Sequence, residues 1–141
     1  MEKDCGMRIH ILSHKLKKRM NANMQSLGLT GGQSRIMHYI LVKCAEGPVF
    51  QRDVEKAFGM SRSTATGILQ LMEKNGLIVR ESVASDARLK SLIPTERAAH
   101  LDAQISESLR QGEQRLTKGL SSEQLAQFLE TAAHMAANLD E

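Results

Sequence analysis

The segment from Gln51 to Ile93 constrains this chain more than any other. Gln51–Phe58 gives a short helix, with Val54, Ala57 and Phe58 expected to face inward. Gly59 then suits a helix end in the left-handed conformation. Ser61 offers a side-chain oxygen to cap a second helix, expected over 62–75. The faces of that helix separate: Ala65, Ile68, Leu69 and Met72 fall on one side, and Ser63, Thr66, Gly67 and Gln70 on another. Gly76 closes it. From Leu77 the pattern becomes strand-like, with Leu77, Val79 and Val83 expected to point one way. Ala84-Ser85-Asp86-Ala87-Arg88 is a polar turn, and Leu89–Ile93 returns as the paired strand. Two helices joined by a short glycine turn and followed by a hairpin make a helix-turn-helix with a wing.

The flanks are helical. Ile9, Leu12, Leu16, Met20, Met24 and Leu27 keep a helical stride through the first 27 residues, and Gly28 breaks it. Thr30 and Gln33 form a capping box, so a helix starts near Gly31. Ile36, Met37, Ile40, Leu41 and Cys44 make its apolar face, and Gly47-Pro48 ends the region. Pro94-Thr95-Glu96 opens a further helical region carrying Leu101, Ile105, Leu109 and Leu116. Gly112 interrupts that stride and marks either a close helix–helix approach or a bend. After Gly119-Leu120, a second box of Ser121 and Gln124 starts a final helix with Leu125, Phe128, Leu129, Ala132, Met135, Ala136 and Leu139. The expected fold is mainly α with a small β-hairpin, in one domain over 1–141 with its winged lobe at 30–94.

Composition narrows the function. A chain of 141 residues can bury a core without disulfides. Its apolar runs are too short to span a bilayer, and its N-terminus has no apolar signal region. Cys5 and Cys44 are the only cysteines, which suits a reducing cytoplasm. Tyr39, Phe50, Phe58 and Phe128 are the only aromatics, too few for stacking splayed bases. No glycine-rich phosphate loop, nucleophile elbow or zinc-protease motif occurs, which argues against an enzyme and gives no reason to expect a cofactor. Net charge is +3, unevenly spread. Residues 1–45 hold 8 Lys/Arg against 2 Asp/Glu, and residues 95–141 hold 4 against 8, so the two ends can pair within or between chains. The run His14-Lys15-Leu16-Lys17-Lys18-Arg19 is the densest basic cluster and reads most simply as a solvated helix face.

The small residues Ser63, Thr66 and Gly67 let a helix sit deep in a DNA major groove, where hydroxyls meet base edges or thymine methyls. The helix N-terminus offers N–H groups to a phosphate, and Arg62 adds charge there. Arg88 at the hairpin tip can reach a narrow minor groove, braced by Asp86. Ser61, Thr64, Gln70, Ser85 and Lys90 complete the candidate DNA-contact set. Each residue alone also fits a plain surface role, Ser61 as an N-cap and Asp86-Ala87-Arg88 as a solvated turn. A protein-docking winged helix is the rival class, but such a face would carry exposed Leu, Phe or Trp anchors.

The motifs taken together resemble the MarR family of bacterial regulators. Leu29-Thr30-Gly31-Gly32-Gln33 is similar to that family's entry into the second helix. Gly59-Met60-Ser61-Arg62-Ser63-Thr64-Ala65-Thr66 resembles its turn and recognition-helix start. Leu71 to Arg80 is similar to its exit into the wing, Asp86-Ala87-Arg88 to its wing signature, and Pro94-Thr95-Glu96-Arg97-Ala98 to its fifth-helix start. Pro94 and Ala98 stand where the family usually has leucine and glycine, and Gly67 where a larger residue is common. The resemblance implies a homodimer held by the helices at 1–29 and 95–141. Its two lobes would enter adjacent major grooves of a pseudo-palindromic double-stranded operator, about 34 Å apart. It also implies repression released by an effector, commonly a phenolic or other lipophilic anion, with His10, His14, Arg35 and His38 as candidate lining residues. Oxidation of Cys5 is the alternative signal. His10 and His14 stand at i, i+4 as a possible metal half-site, but no third ligand is obvious and no metal is expected. Cys44 is expected to be a buried core thiol.

Overall fold

The computed structural model describes residues 4–140, so residues 1–3 of the expected first helix, and Glu141, lie outside the described residues. Among the described residues, six α-helices and one hairpin follow in the order α1 (Cys5–Met24), α2 (Gly31–Lys43), α3 (Gln51–Phe58), α4 (Arg62–Lys74), β1 (Ile78–Val83), β2 (Asp86–Pro94), α5 (Glu96–Leu116) and α6 (Ser122–Leu139). The chain divides into two compact units at the bond after Leu109. The first unit holds the core, in which Met24, Ile36, Met37, Ile40, Val54, Leu69, Met72, Leu77, Ile78, Leu92 and Ile105 are essentially inaccessible. In the second unit α6 has no buried residue at all.

Local signals set most of the boundaries. The expected capping boxes form: Gln33 N–H donates to Thr30 Oγ1 at 3.0 Å and Thr30 N–H to Gln33 Oε1 at 3.1 Å, while Ser121 and Gln124 repeat the exchange at 3.1 and 2.9 Å. α1 is shorter than its apolar stride. The α-helix stops at Met24 and tightens into a 3-10 turn over Gln25–Leu27, because Gly28 turns left-handed at φ 73°. Asn21, on α1, explains how α2 joins it. Its Oδ1 accepts from Gly31 N–H at 2.7 Å, satisfying a helix-start donor that has no partner within α2. A Cβ at Gly31 would lie 2.5 Å from Met20 Cβ, so the two helices cross at a distance only glycine permits.

The hairpin differs from the alternation expected of it. α4 ends in a Schellman turn, with Leu77 N–H donating to Met72 O at 2.9 Å and Gly76 N–H to Glu73 O at 3.1 Å, Gly76 being left-handed at φ 75°. Leu77 is buried by that turn, before the strand begins. The ladder starts one residue later with Ile78 buried, which puts Val79 on the open face at 44% exposure. The returning strand begins at Asp86 rather than Leu89, so the turn is only Ala84–Ser85. Pairing is regular from Ile78↔Pro94 to Ser82↔Lys90 and then shifts to Val83↔Asp86, which leaves 87–89 outside the regular ladder.

Two further expectations fail. Ala57 is exposed, because the eight-residue α3 meets the core through Val54 and Phe58 at i, i+4 spacing, with the Phe58 ring edge-on to Tyr39 at 5.6 Å. Gly112 does not interrupt α5: the helix runs through it, and among the described residues of this one chain nothing lies within 4 Å of a Cβ built there. The glycines therefore separate by role. Gly31→Ala is expected to destabilise the fold by about 1–3 kcal/mol through overpacking. Gly67→Ala, in open space within α4, is expected to stabilise it by about 0.5–1 kcal/mol. Urea unfolding of both variants checks the opposite signs.

Candidate nucleic-acid interface

The turn between α3 and α4 is built from backbone rules. Gly59 is left-handed at φ 61°, and its N–H and that of Met60 both reach Glu55 O, the latter at 3.0 Å. Ser61 then takes extended geometry and caps α4, its Oγ accepting from Thr64 N–H at 3.2 Å. That hydroxyl also donates to Thr64 Oγ1 at 3.0 Å and lies 3.2 Å from Ser63 Oγ. The first turn of α4 carries no acid, so the positive end of its helix dipole meets only Arg62 and this cluster of hydroxyls.

Burial separates the faces of α4 as expected. Ala65, Leu69 and Met72 are fully buried, whereas Arg62, Ser63, Thr64, Gly67 and Gln70 are exposed together. Thr66 departs from the rest. It is half-buried, and its Oγ1 accepts from Gln51 Nε2 at 2.9 Å, across the helix-turn-helix. Sequence reasoning missed Gln51, because a polar residue at the first position of a helix carries no local signal of a tertiary bond.

At the wing, Asp86 braces the backbone of Arg88 more firmly than its side chain. Asp86 Oδ1 accepts from Arg88 N–H at 2.9 Å, while the guanidinium Nε stays 3.7 Å away and the Arg88 side chain is 95% exposed. Ser85 lies in the two-residue turn, and Lys90 is exposed opposite Ser82. The wing base is tied to α4 and to α3's approach. Thr95 Oγ1 donates to Gly76 O at 2.6 Å, Arg97 Nη1 donates to Asn75 O, and Arg80 Nε lies 3.7 Å from Glu73 Oε1. Leu92 N–H donates to Val49 O at 2.7 Å, holding β2 against the loop before α3.

The candidate effector residues do not all meet. Arg35 and His38 line one cleft of about 260 Å3 with Tyr39, Val42, Lys43, Phe58 and Leu109. His38 Nδ1 is 3.3 Å from Ser106 Oγ and 3.9 Å from Asp102 Oδ1, linking α2 to α5. His10 and His14 are exposed on α1 and do not line this cleft. Cys5 is exposed, and Cys44 is half-buried rather than buried, packed on the core with its thiol 3.3 Å from Leu41 O. Among the described residues no three His, Cys, Asp or Glu side chains gather to hold a metal ion, and no helix is long and apolar enough to cross a membrane.

Residues 27–89 match the model of the MarR family. The chain is 30% identical to the transcription regulator MarR from Oenococcus oeni PSU-1, over 95% of this chain and 99% of that one, with a TM-score of 0.83. It shares the fold of S. aureus MepR solved in complex with DNA, at 22% identity, 98% coverage of each chain and a TM-score of 0.87. A Listeria monocytogenes protein solved with a 26mer DNA has the same fold, at 23% identity, 97% and 89% coverage and a TM-score of 0.82.

Proposed function

The chain belongs to the MarR family of transcription regulators, and on that premise we propose that it is a homodimeric repressor, released from a pseudo-palindromic double-stranded operator by a small anionic effector. The observation that carries the proposal is the joint exposure of Arg62, Ser63, Thr64, Gly67 and Gln70 on α4 beside the extended Arg88 of the wing. Small side chains let α4 approach base edges closely, and the acid-free helix start accepts a phosphate. Ser61 acts through its cap, holding that start in place. Ser85 and Lys90 flank Arg88 on the wing, with Lys90 meeting the backbone as a point charge. The lobe at 30–94 binds DNA, and the helices at 1–29 and 95–141 join two copies. The regulator works in the cytoplasm.

Dimerisation is supported by the apolar surface of α6, where Phe128, Leu129 and Leu139 are 58, 67 and 85% exposed. Exposed apolar surface of this kind marks an interface. The effector site is the cleft of Arg35, His38 and Lys43, whose cationic rim and Tyr39 and Phe58 rings suit an aryl carboxylate or phenolate. Such a ligand releases DNA only to the extent that it binds one lobe spacing better than the other.

Purified protein titrated with its own upstream DNA across a salt series tests the reading. Selective binding that weakens with salt is expected, and equal weak binding to unrelated DNA would contradict it. Arg88→Ala is expected to cost about 1–3 kcal/mol of operator affinity. Light scattering at micromolar concentration is expected to give a dimer, which Phe128→Glu with Leu129→Glu converts to monomer. Arg35→Ala with Lys43→Ala is expected to abolish the release of DNA by an aryl carboxylate while leaving operator binding in place.

A further inference from the structure

Gln51 opens α3, yet its side chain serves α4. Its Nε2 donates to Thr66 Oγ1 at 2.9 Å and lies 3.4 Å from the Arg62 carbonyl oxygen. A carbonyl only accepts, so this second contact settles which end of the amide faces α4. Thr66 Oγ1 is therefore the acceptor in its bond with Gln51. A threonine hydroxyl has a single proton, and among the described residues the Thr66 proton has no acceptor. With one lone pair occupied on the protein side, the group keeps its proton and one lone pair for the face it shares with Ser63, Gly67 and Gln70. Ser61 differs, because its hydroxyl proton goes to Thr64 Oγ1 while it caps the helix.

We propose that Gln51 is a positioning residue for base discrimination: by donating to Thr66 it leaves the hydroxyl proton unspent, so that Thr66 donates to a base acceptor in each operator half-site. This rests on the reading that α4 enters the major groove. In that groove guanine O6 and thymine O4 accept, whereas the amino groups of cytosine and adenine donate. A hydroxyl that keeps its proton can donate to the first pair, whereas one that has spent its proton inward can meet only the second. Gly67, the next residue, has no side chain to mask the choice.

The test is selection from a pool of randomised DNA duplexes by the full-length wild type, Gln51→Glu, Gln51→Ala and Thr66→Val. Circular dichroism first establishes equal helix content. The wild type is expected to enrich one sequence, with guanine or thymine at one position of each half-site. A glutamate carboxylate carries no proton, so in Gln51→Glu the Thr66 hydroxyl donates inward and presents lone pairs to the DNA. The preference at that position is then expected to move toward an amino-bearing base by about tenfold. Gln51→Ala leaves the hydroxyl proton unspent and is expected to keep guanine or thymine at that position. Thr66→Val removes the preference, and adding Gln51→Glu to that variant changes no preference further. The added negative charge lowers affinity for all sequences alike and does not alter the ratio between bases at one position. Unchanged base preferences in Gln51→Glu, with or without a uniform loss of affinity, would overturn the proposal while leaving DNA recognition by α4 intact. A wild type that enriches no sequence would instead defeat the DNA-binding reading itself, and the inference with it.

Discussion

Thr95 holds together the part of the molecule on which the rest depends. Its hydroxyl proton is shared between Gly76 O at 2.6 Å and Leu77 O at 3.3 Å, and its N–H donates to Leu77 O at 3.1 Å. The same Oγ accepts from Ala98 N–H at 3.3 Å, capping α5. One residue thus joins the end of α4, both ends of the hairpin and the start of α5. The wing cannot swing independently of α4 while these bonds hold. Arg97 on Asn75 O and Arg80 beside Glu73 reinforce the junction from either side. Isolated two-stranded hairpins are marginal in water, so the wing owes its order to this junction and to the buried Ile78 and Leu92 beneath it.

The legible features were those set within a few residues. Thr30 and Gln33, Ser61, Gly59, and Ser121 with Gln124 act on backbone groups three or four positions away, and each appears in the structure where local chemistry puts it. The exposed polar face of α4 was equally legible, since helical spacing alone separates Ser63, Gly67 and Gln70 from Ala65, Leu69 and Met72. What failed depends on packing. Leu77 and Ile78 are adjacent and both buried because a helix-ending turn meets a strand there, so alternation counted from Leu77 lands on the wrong face. Ala57 looks inward by composition, but α3 is too short to bury more than one stripe. Gly112 and Gly31 are both helical glycines, and only the position of Met20 makes the second indispensable. Gln51 and Thr95 act across long sequence separations, and polar residue type does not announce such partners.

If α4 enters DNA as proposed, recognition and stability make opposite demands on it. Its buried side carries the large apolar residues Leu69 and Met72, while its outer side is reduced to hydroxyls, a glycine and one amide. Gly67 weakens the helix relative to alanine. The loss is offset by capping at Ser61 and by the Schellman turn at Gly76, which restrain both ends. The outer surface is thereby kept low without letting the helix fray where its first turn is most exposed.

The junction of Asn21 with Gly31 also has a mechanical consequence. α1 and α2 meet there with almost no clearance, so the crossing acts as a fulcrum rather than a sliding contact. From Met20 back to Cys5, α1 extends roughly 23 Å at about 1.5 Å per residue. A tilt of about 5° at the fulcrum sweeps the far end through about 2 Å, a little over a third of the helical pitch. Motions too small to register in the packed core become displacements of atomic size at the other end of the beam, and an alanine at Gly31 would shift the fulcrum itself.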